Sequence, residues 1–278
     1  MFIADVHVHL HGDEKPERVS RTMDKAGLDT MVVIAPYRQT FMPERRVEGS
    51  HVGSVRDGNN FVAKLVKALP RRLRGYAFVT GLGDIRDNVE EVERAVQDLG
   101  LHGVKLFPNL GWYPDDAKIL PLYEKISDLD VPILFHSGIV PWISDIHGHG
   151  PLLSKYSRPA YYEAVVRSFP KLRIILAHMS WPWYKEAVTV AYLTENIYLD
   201  ICTDFTTATR RTKLAALKFA LESLGPRKIL YASDSLATDA TSLSARLRDT
   251  LNLLSELKVG EKDVERIMGD NARRLFNL

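Results

Sequence analysis

The sequence is poor in cysteine: Cys202 is the only one in 278 residues. A single thiol excludes an intrachain disulfide framework and suits a reducing compartment, so the expected location is the cytoplasm. Net charge is nearly lacking as well, at +2, which argues against a nucleic-acid partner or an anionic membrane surface. No apolar run approaches the roughly 20 residues of a spanning helix. The N-terminus runs straight into a strand bearing an acid and histidines, unlike a signal peptide. Low-complexity tracts and linkers are absent. No Gly-rich phosphate loop follows the first strand, which counts against a doubly wound nucleotide-binding sheet. What is present is ordinary globular composition, 45% hydrophobic and 26% charged, in a chain long enough to bury a sizeable core.

Apolar runs rich in β-branched residues recur at 2–9, 28–35, 75–80, 103–107, 131–136, 172–178, 197–201 and 228–233. Helical spacing fills the intervals at 16–26, 59–69, 89–99, 120–129, 160–169, 184–193 and 213–224. It returns from about Ser242 to Leu257, and 262–276 closes the chain. Two long polar loops interrupt the rhythm, 37–58 and 137–159. Strict alternation of strand and helix predicts a parallel sheet with helices outside. Eight such units in this length predict a (β/α)8 TIM barrel, one domain over residues 1–278.

In such a barrel chemistry sits at the C-terminal ends of the strands, and here those ends turn ionisable. The first strand carries Asp5, His7 and His9 on one face. Two imidazoles two positions apart can reach one cation at about 2.0–2.1 Å. His136 ends the fifth strand, His178 the sixth, Asp200 the seventh and Asp234 the eighth. Any one of them alone reads as a cap or a core hydrogen bond. Four imidazoles and Asp234 around one mouth are costly to bury unless something coordinates them. Three histidines plus a carboxylate, with room for water, suit one catalytic divalent ion: zinc first, with manganese or iron also accommodated. Asp200 divides evenly between a cap and a carboxylate that orients a ligand. Lys105, on the fourth strand, reads as a charge partner or substrate contact rather than a carbamylated metal bridge. His102 reads as structural, and His11, His51, His147 and His149 as loop residues.

Asp5-Val-His7-Val-His9, His136-Ser-Gly, Ala177-His178-Met-Ser-Trp-Pro-Trp and Ala232-Ser-Asp234-Ser resemble the amidohydrolase superfamily. The likeness is to its amidohydrolase-related (amidohydrolase 2) branch, which contains aminocarboxymuconate-semialdehyde decarboxylase. It spans essentially the whole chain. Met179-Ser180 and Ser233-Asp234-Ser235 depart from the commoner patterns of that branch, which bears on the substrate pocket. The resemblance implies a distorted barrel with one metal held by His7, His9, His136 and Asp234. It also implies His178 as a nearby acid/base or carbonyl-polarising residue, and an uncarbamylated Lys105.

The expected activity is metal-dependent hydrolysis of an amide, ester or lactone in a small, carboxylate-bearing substrate. Asp234 would take the proton of activated water and His178 would donate to the oxyanion. Non-oxidative decarboxylation of a small aromatic or muconate-like acid is the alternative, since the same ion and cations serve both. Lys105, Arg38 and Arg158 are candidate substrate contacts, with Trp142 as a pocket wall; Arg45, Arg46, Trp181 and Trp183 are weaker ones. A small molecule is the expected partner, with neither nucleic acid nor membrane, and homo-oligomerisation is left open.

Overall fold

The computed structural model describes residues 1–36, 52–140, 152–202 and 208–278, with 145–146 and 150–151 as backbone. Among the described residues, eight parallel staves are each followed by a helix. The staves are β1 (Ala4–His9), β2 (Thr30–Ile34), β3 (Leu73–Phe78), β4 (Gly103–Leu106), β5 (Ile133–Phe135), β6 (Ile174–Leu176), β7 (Ile197–Asp200) and β8 (Ile229–Leu230). Their helices are α1 (Pro16–Ala26), α2 (Val55–Ala68), α3 (Ile85–Gln97), α4 (Leu120–Asp128), α5 (Tyr162–Ser168), α6 (Tyr184–Tyr192), α7 (Arg210–Leu224) and α8 (Ala240–Glu256). Asp145–Ile146 and Gly150–Pro151 form a separate small antiparallel pair.

Neighbouring staves pair in chain order from β1 to β8. Closure depends on the last one. Ile229 and Leu230 pair with Leu199 and Asp200 of β7. The Tyr231 carbonyl then accepts from Val6 N (3.2 Å), and Asp234 N donates to the His7 carbonyl (2.9 Å). Ser235–Leu236 pairs in parallel with Val8 and His9 of β1. One short stretch thus binds both edges of the sheet and makes it a cylinder. The sequence predicts an unbroken stave over 228–233; the observed strand stops after Leu230 and resumes at Ser235, with Asp234 at φ +54° in between.

Burial explains the composition of the staves. Every residue of β1, β2, β4, β5 and β6 is buried, as expected of parallel strands covered on both faces. The helices are one-sided: α1 buries Val19, Thr22, Met23 and Ala26, one stripe at helical spacing, and Gly27 closes it at φ +74°. The opposite end of the cylinder is stopped by the C-terminal segment. Ile267 accepts from Tyr231 N (3.0 Å), Phe276 lies edge-on to Tyr76 at 5.6 Å, and Gly269 leaves space for the Phe2 carbonyl that a Cβ would occupy. Among the described residues no helix is long and apolar enough to cross a membrane.

Candidate metal centre

His7 and His9 leave β1 on the same side and meet at one oxygen. His9 Nε2 lies 2.7 Å from Asp234 Oδ1, and His7 Nε2 lies 3.3 Å from it. Ligand atoms of these three residues all fall within 4.8 Å of one another. His7 is fixed from behind, because its Nδ1 donates to Asp200 Oδ2 at 2.8 Å, which leaves the Nε2 lone pair facing the mouth. The other oxygen of Asp200 accepts from His178 N (2.7 Å) and Cys202 N (3.3 Å). Asp200 therefore orients rather than merely caps. Asp5 ties the staves together below: its Oδ1 accepts from His7 N (3.2 Å) and Ser233 N (3.0 Å). Burial pushes the Asp5 carboxyl up to about 7, only partly offset by its hydrogen bonds with Ser233 and His7.

His136, immediately after β5, is buried, and its Nε2 has no hydrogen-bond partner among the described residues. It falls outside the tight triad, with its ring 5.3 Å from that of His178 and 4.7 Å from Phe107. His178 sits in a turn at φ +56°, its Nδ1 3.9 Å from Asp234 Oδ2. Its side chain is 13% exposed against 1% for His7, so it is the imidazole more open to the mouth. Lys105 is fully buried, with Nζ 3.5 Å from His7 Nε2.

These environments suit a cation. Burial, reinforced by Lys105, holds His7 below the ordinary histidine value. Burial, with His178 and Lys105, holds His136 well below it. Both are kept as neutral donors, the form that ligates. Burial opposes the charge on Asp234, but His7, His178 and His9 outweigh it and hold the carboxyl well below its usual range. Neutral imidazoles, one carboxylate and an orphaned buried nitrogen on His136 form a donor set that fits a divalent ion.

Other candidates lie elsewhere. Arg158 is half-exposed and engaged by Glu186 at 2.6 Å, its guanidinium 5.9 Å from the Trp183 ring. Trp181 stacks on Tyr184 at 5.9 Å. His102 accepts weakly from Gly75 N at 3.4 Å, a structural role. Arg38, Arg45, Arg46, His51, Trp142, His147 and His149 fall outside the described residues. Two features escape the sequence reading: the hydroxyl pair Ser137–Ser180 at 2.5 Å, joining the loops after β5 and β6, and Cys202 beside His178 and Asp234. Position just past a stave end was the available signal for both.

A closed parallel barrel that gathers imidazoles and carboxylates from its first, fifth, sixth, seventh and last staves has the architecture of the metal-assisted barrel enzymes. The chain belongs to the amidohydrolase family, whose model matches residues 4–278. It is 27% identical to gamma-resorcylate decarboxylase of Polaromonas sp. (strain JS666), over 94% of this chain and 87% of that protein. It is 23% identical to 2-keto-4-carboxy-3-hexenedioate hydratase of Sphingobium sp. (strain NBRC 103272 / SYK-6), over 92% and 80%. The crystal structure of dihydroxybenzoic acid decarboxylase from Polaromonas sp. JS666, with bound manganese and the inhibitor 2-nitroresorcinol, superposes with a TM-score of 0.70 at 22% identity, covering 100% of this chain and 97% of that one.

These likenesses overturn the expectation of hydrolysis. The two curated relatives above, each matched over more than 90% of this chain, are a decarboxylase and a hydratase. The reason is chemical: the donor set and the neighbouring proton-bearing groups do not encode which bond breaks. Zinc gains no specific support, since the solved relative carries manganese.

Proposed function

We propose that this protein is a divalent-metal-dependent, non-oxidative decarboxylase of a small aromatic acid. The observation that carries the reading is the 27% identity to gamma-resorcylate decarboxylase along 94% of the chain. Its site chemistry agrees. His7, His9, His136 and Asp234 would hold the ion, for which manganese is the first candidate from the solved relative. The bound ion would supply positive charge that fixes the substrate's oxygens and stabilises negative charge developing on them.

The protein's own groups then have to move one proton. It is delivered to the ring carbon bearing the carboxylate; the carbon–carbon bond breaks, its electron pair restores the aromatic ring, and CO2 departs. His178 and Asp234 would hold and pass that proton, a role supported by the 3.9 Å between Nδ1 and Oδ2. Lys105 contributes a cationic side chain in the barrel interior against an anionic substrate, beside His7. Phe107 is buried beside His136 and offers an apolar edge to an arene.

The test is a manganese-reconstituted enzyme presented with a panel of hydroxylated benzoates, with CO2 and the decarboxylated arene both quantified. The expected result is stoichiometric release of both, reduced about 10²–10⁴-fold in His178→Asn or Asp234→Asn. A metal-loaded, folded enzyme that releases CO2 from none of them overturns the proposal.

A further inference from the structure

Asp234 divides its two oxygens between two groups of donors. Oδ1 takes the approaches of His9 Nε2 (2.7 Å) and His7 Nε2 (3.3 Å). Oδ2 instead faces His178 Nδ1 at 3.9 Å. A thiol completes a further set: a nitrogen of His178, Sγ of Cys202 and a carboxylate oxygen of Asp234 all lie within 4.8 Å of one another. Nitrogen, thiolate and carboxylate at that spacing can converge on an ion with bonds of about 2.0–2.3 Å. The position opens to the mouth through His178 and Asp234, whose side chains are 13% and 21% exposed.

We propose that His178, Cys202 and Asp234 form a second, thiophilic metal position, bridged to the first by the Asp234 carboxylate and inhibitory when filled. Sulfur makes it selective. Soft or borderline ions such as cadmium and zinc are favoured by a thiolate, whereas manganese prefers oxygen and nitrogen. Filling it breaks the Cys202 Sγ–H bond and the contact of that thiol with the Ser233 carbonyl (3.5 Å). The proton leaves to solvent, a sulfur–metal bond forms, and His178 becomes a ligand. The imidazole assigned to proton transfer is thereby withdrawn, so an excess of thiophilic ion shuts the enzyme down without displacing the first metal.

The sequence simplifies the test, because Cys202 is the only source of thiolate. Manganese-loaded enzyme is titrated with cadmium chloride while the near-ultraviolet sulfur-to-cadmium charge-transfer absorbance is followed, with bound metals counted after gel filtration. Wild type is expected to gain the band as about one equivalent of cadmium binds and manganese stays. Cys202→Ser should keep manganese, lose the band, and bind the cadmium at least tenfold more weakly. His178→Gln, with the thiol intact, should weaken the band's titration by a similar factor. Cadmium that binds wild type and Cys202→Ser alike, with no band in either, overturns the proposal, as does cadmium that simply replaces manganese. The inhibition rests on the proton-transfer role proposed for His178, whereas these metal readouts need no substrate and so fail or succeed separately from the decarboxylase reading.

Discussion

The imidazole of His7 can present only one nitrogen to an ion, because Asp200 holds the other at 2.8 Å. That contact selects the tautomer and the ring plane together, and the second Asp200 oxygen fixes the backbone of His178. Asp200→Asn keeps the size of the group but removes its charge and presents an N–H where two acceptors are needed. We expect manganese affinity to fall about 10–100-fold with the fold retained, as measured by titration calorimetry beside circular dichroism. Unchanged affinity would mean that His7 is positioned by packing alone. The ligand-type residues themselves were readable from the sequence, since each interrupts an apolar run at a stave end. The role of Asp200 was not, because its partner lies 193 positions away, and no local pattern distinguishes an orienting carboxylate from a cap.

At the scale of elements, apolar periodicity located the helices but misplaced several starts. The sequence predicts helices from 59 and 89, whereas α2 begins at Val55 and α3 at Ile85. Each first turn offers a single apolar residue, Val55 or Ile85, followed by polar ones, which is too little for periodicity to register. Their signal is capping: the Ser54 hydroxyl accepts from Asp57 N and the Asp84 carboxylate from Arg86 N. Ser54→Ala should therefore cost about 1 kcal/mol of stability in a denaturant titration, with no change in metal binding. The loop after β5 is more demanding. Gly138 has φ +105°, and a Cβ there would stand 2.5 Å from the Trp181 carbonyl oxygen. Gly138→Ala should push that loop away from the Ser180–Trp181 turn and destabilise the protein by about 1–3 kcal/mol. A melting curve matching wild type would show that the two loops can part without loss.

For the whole molecule, stability depends on what the folded state binds and what it refuses. An ion held by groups from β1 and the stretch after β8 binds the folded chain and not the unfolded one, so melting should shift upward with manganese. The gain is about 2.7 kcal/mol at a hundredfold excess over the dissociation constant; in Asp234→Asn the shift should shrink sharply. Protons act in the opposite sense. Burial, with Arg74 nearby, pushes His102 down from 6.5 to about 4. Between those values the unfolded chain takes up a proton that the fold does not. The contribution is therefore intact above pH 6.5 and is lost as the pH falls towards 4. His102→Gln should flatten the pH dependence of the melting temperature in that interval, and an unchanged slope would reject the assignment. The barrel was legible from its eightfold alternation, whereas the reaction was not, since decarboxylation and hydrolysis ask for the same ion and the same proton-bearing neighbours.

The seam of the cylinder has a consequence for synthesis. Asp234 lies in the stretch that joins β7 to β1, so a ribosome adds this carboxylate 225 residues after His9, the imidazole it touches. A truncated or half-translated copy carries imidazoles without their counterpart. Catalytic competence would then arrive only with the finished ring, and incomplete copies would be silent bystanders.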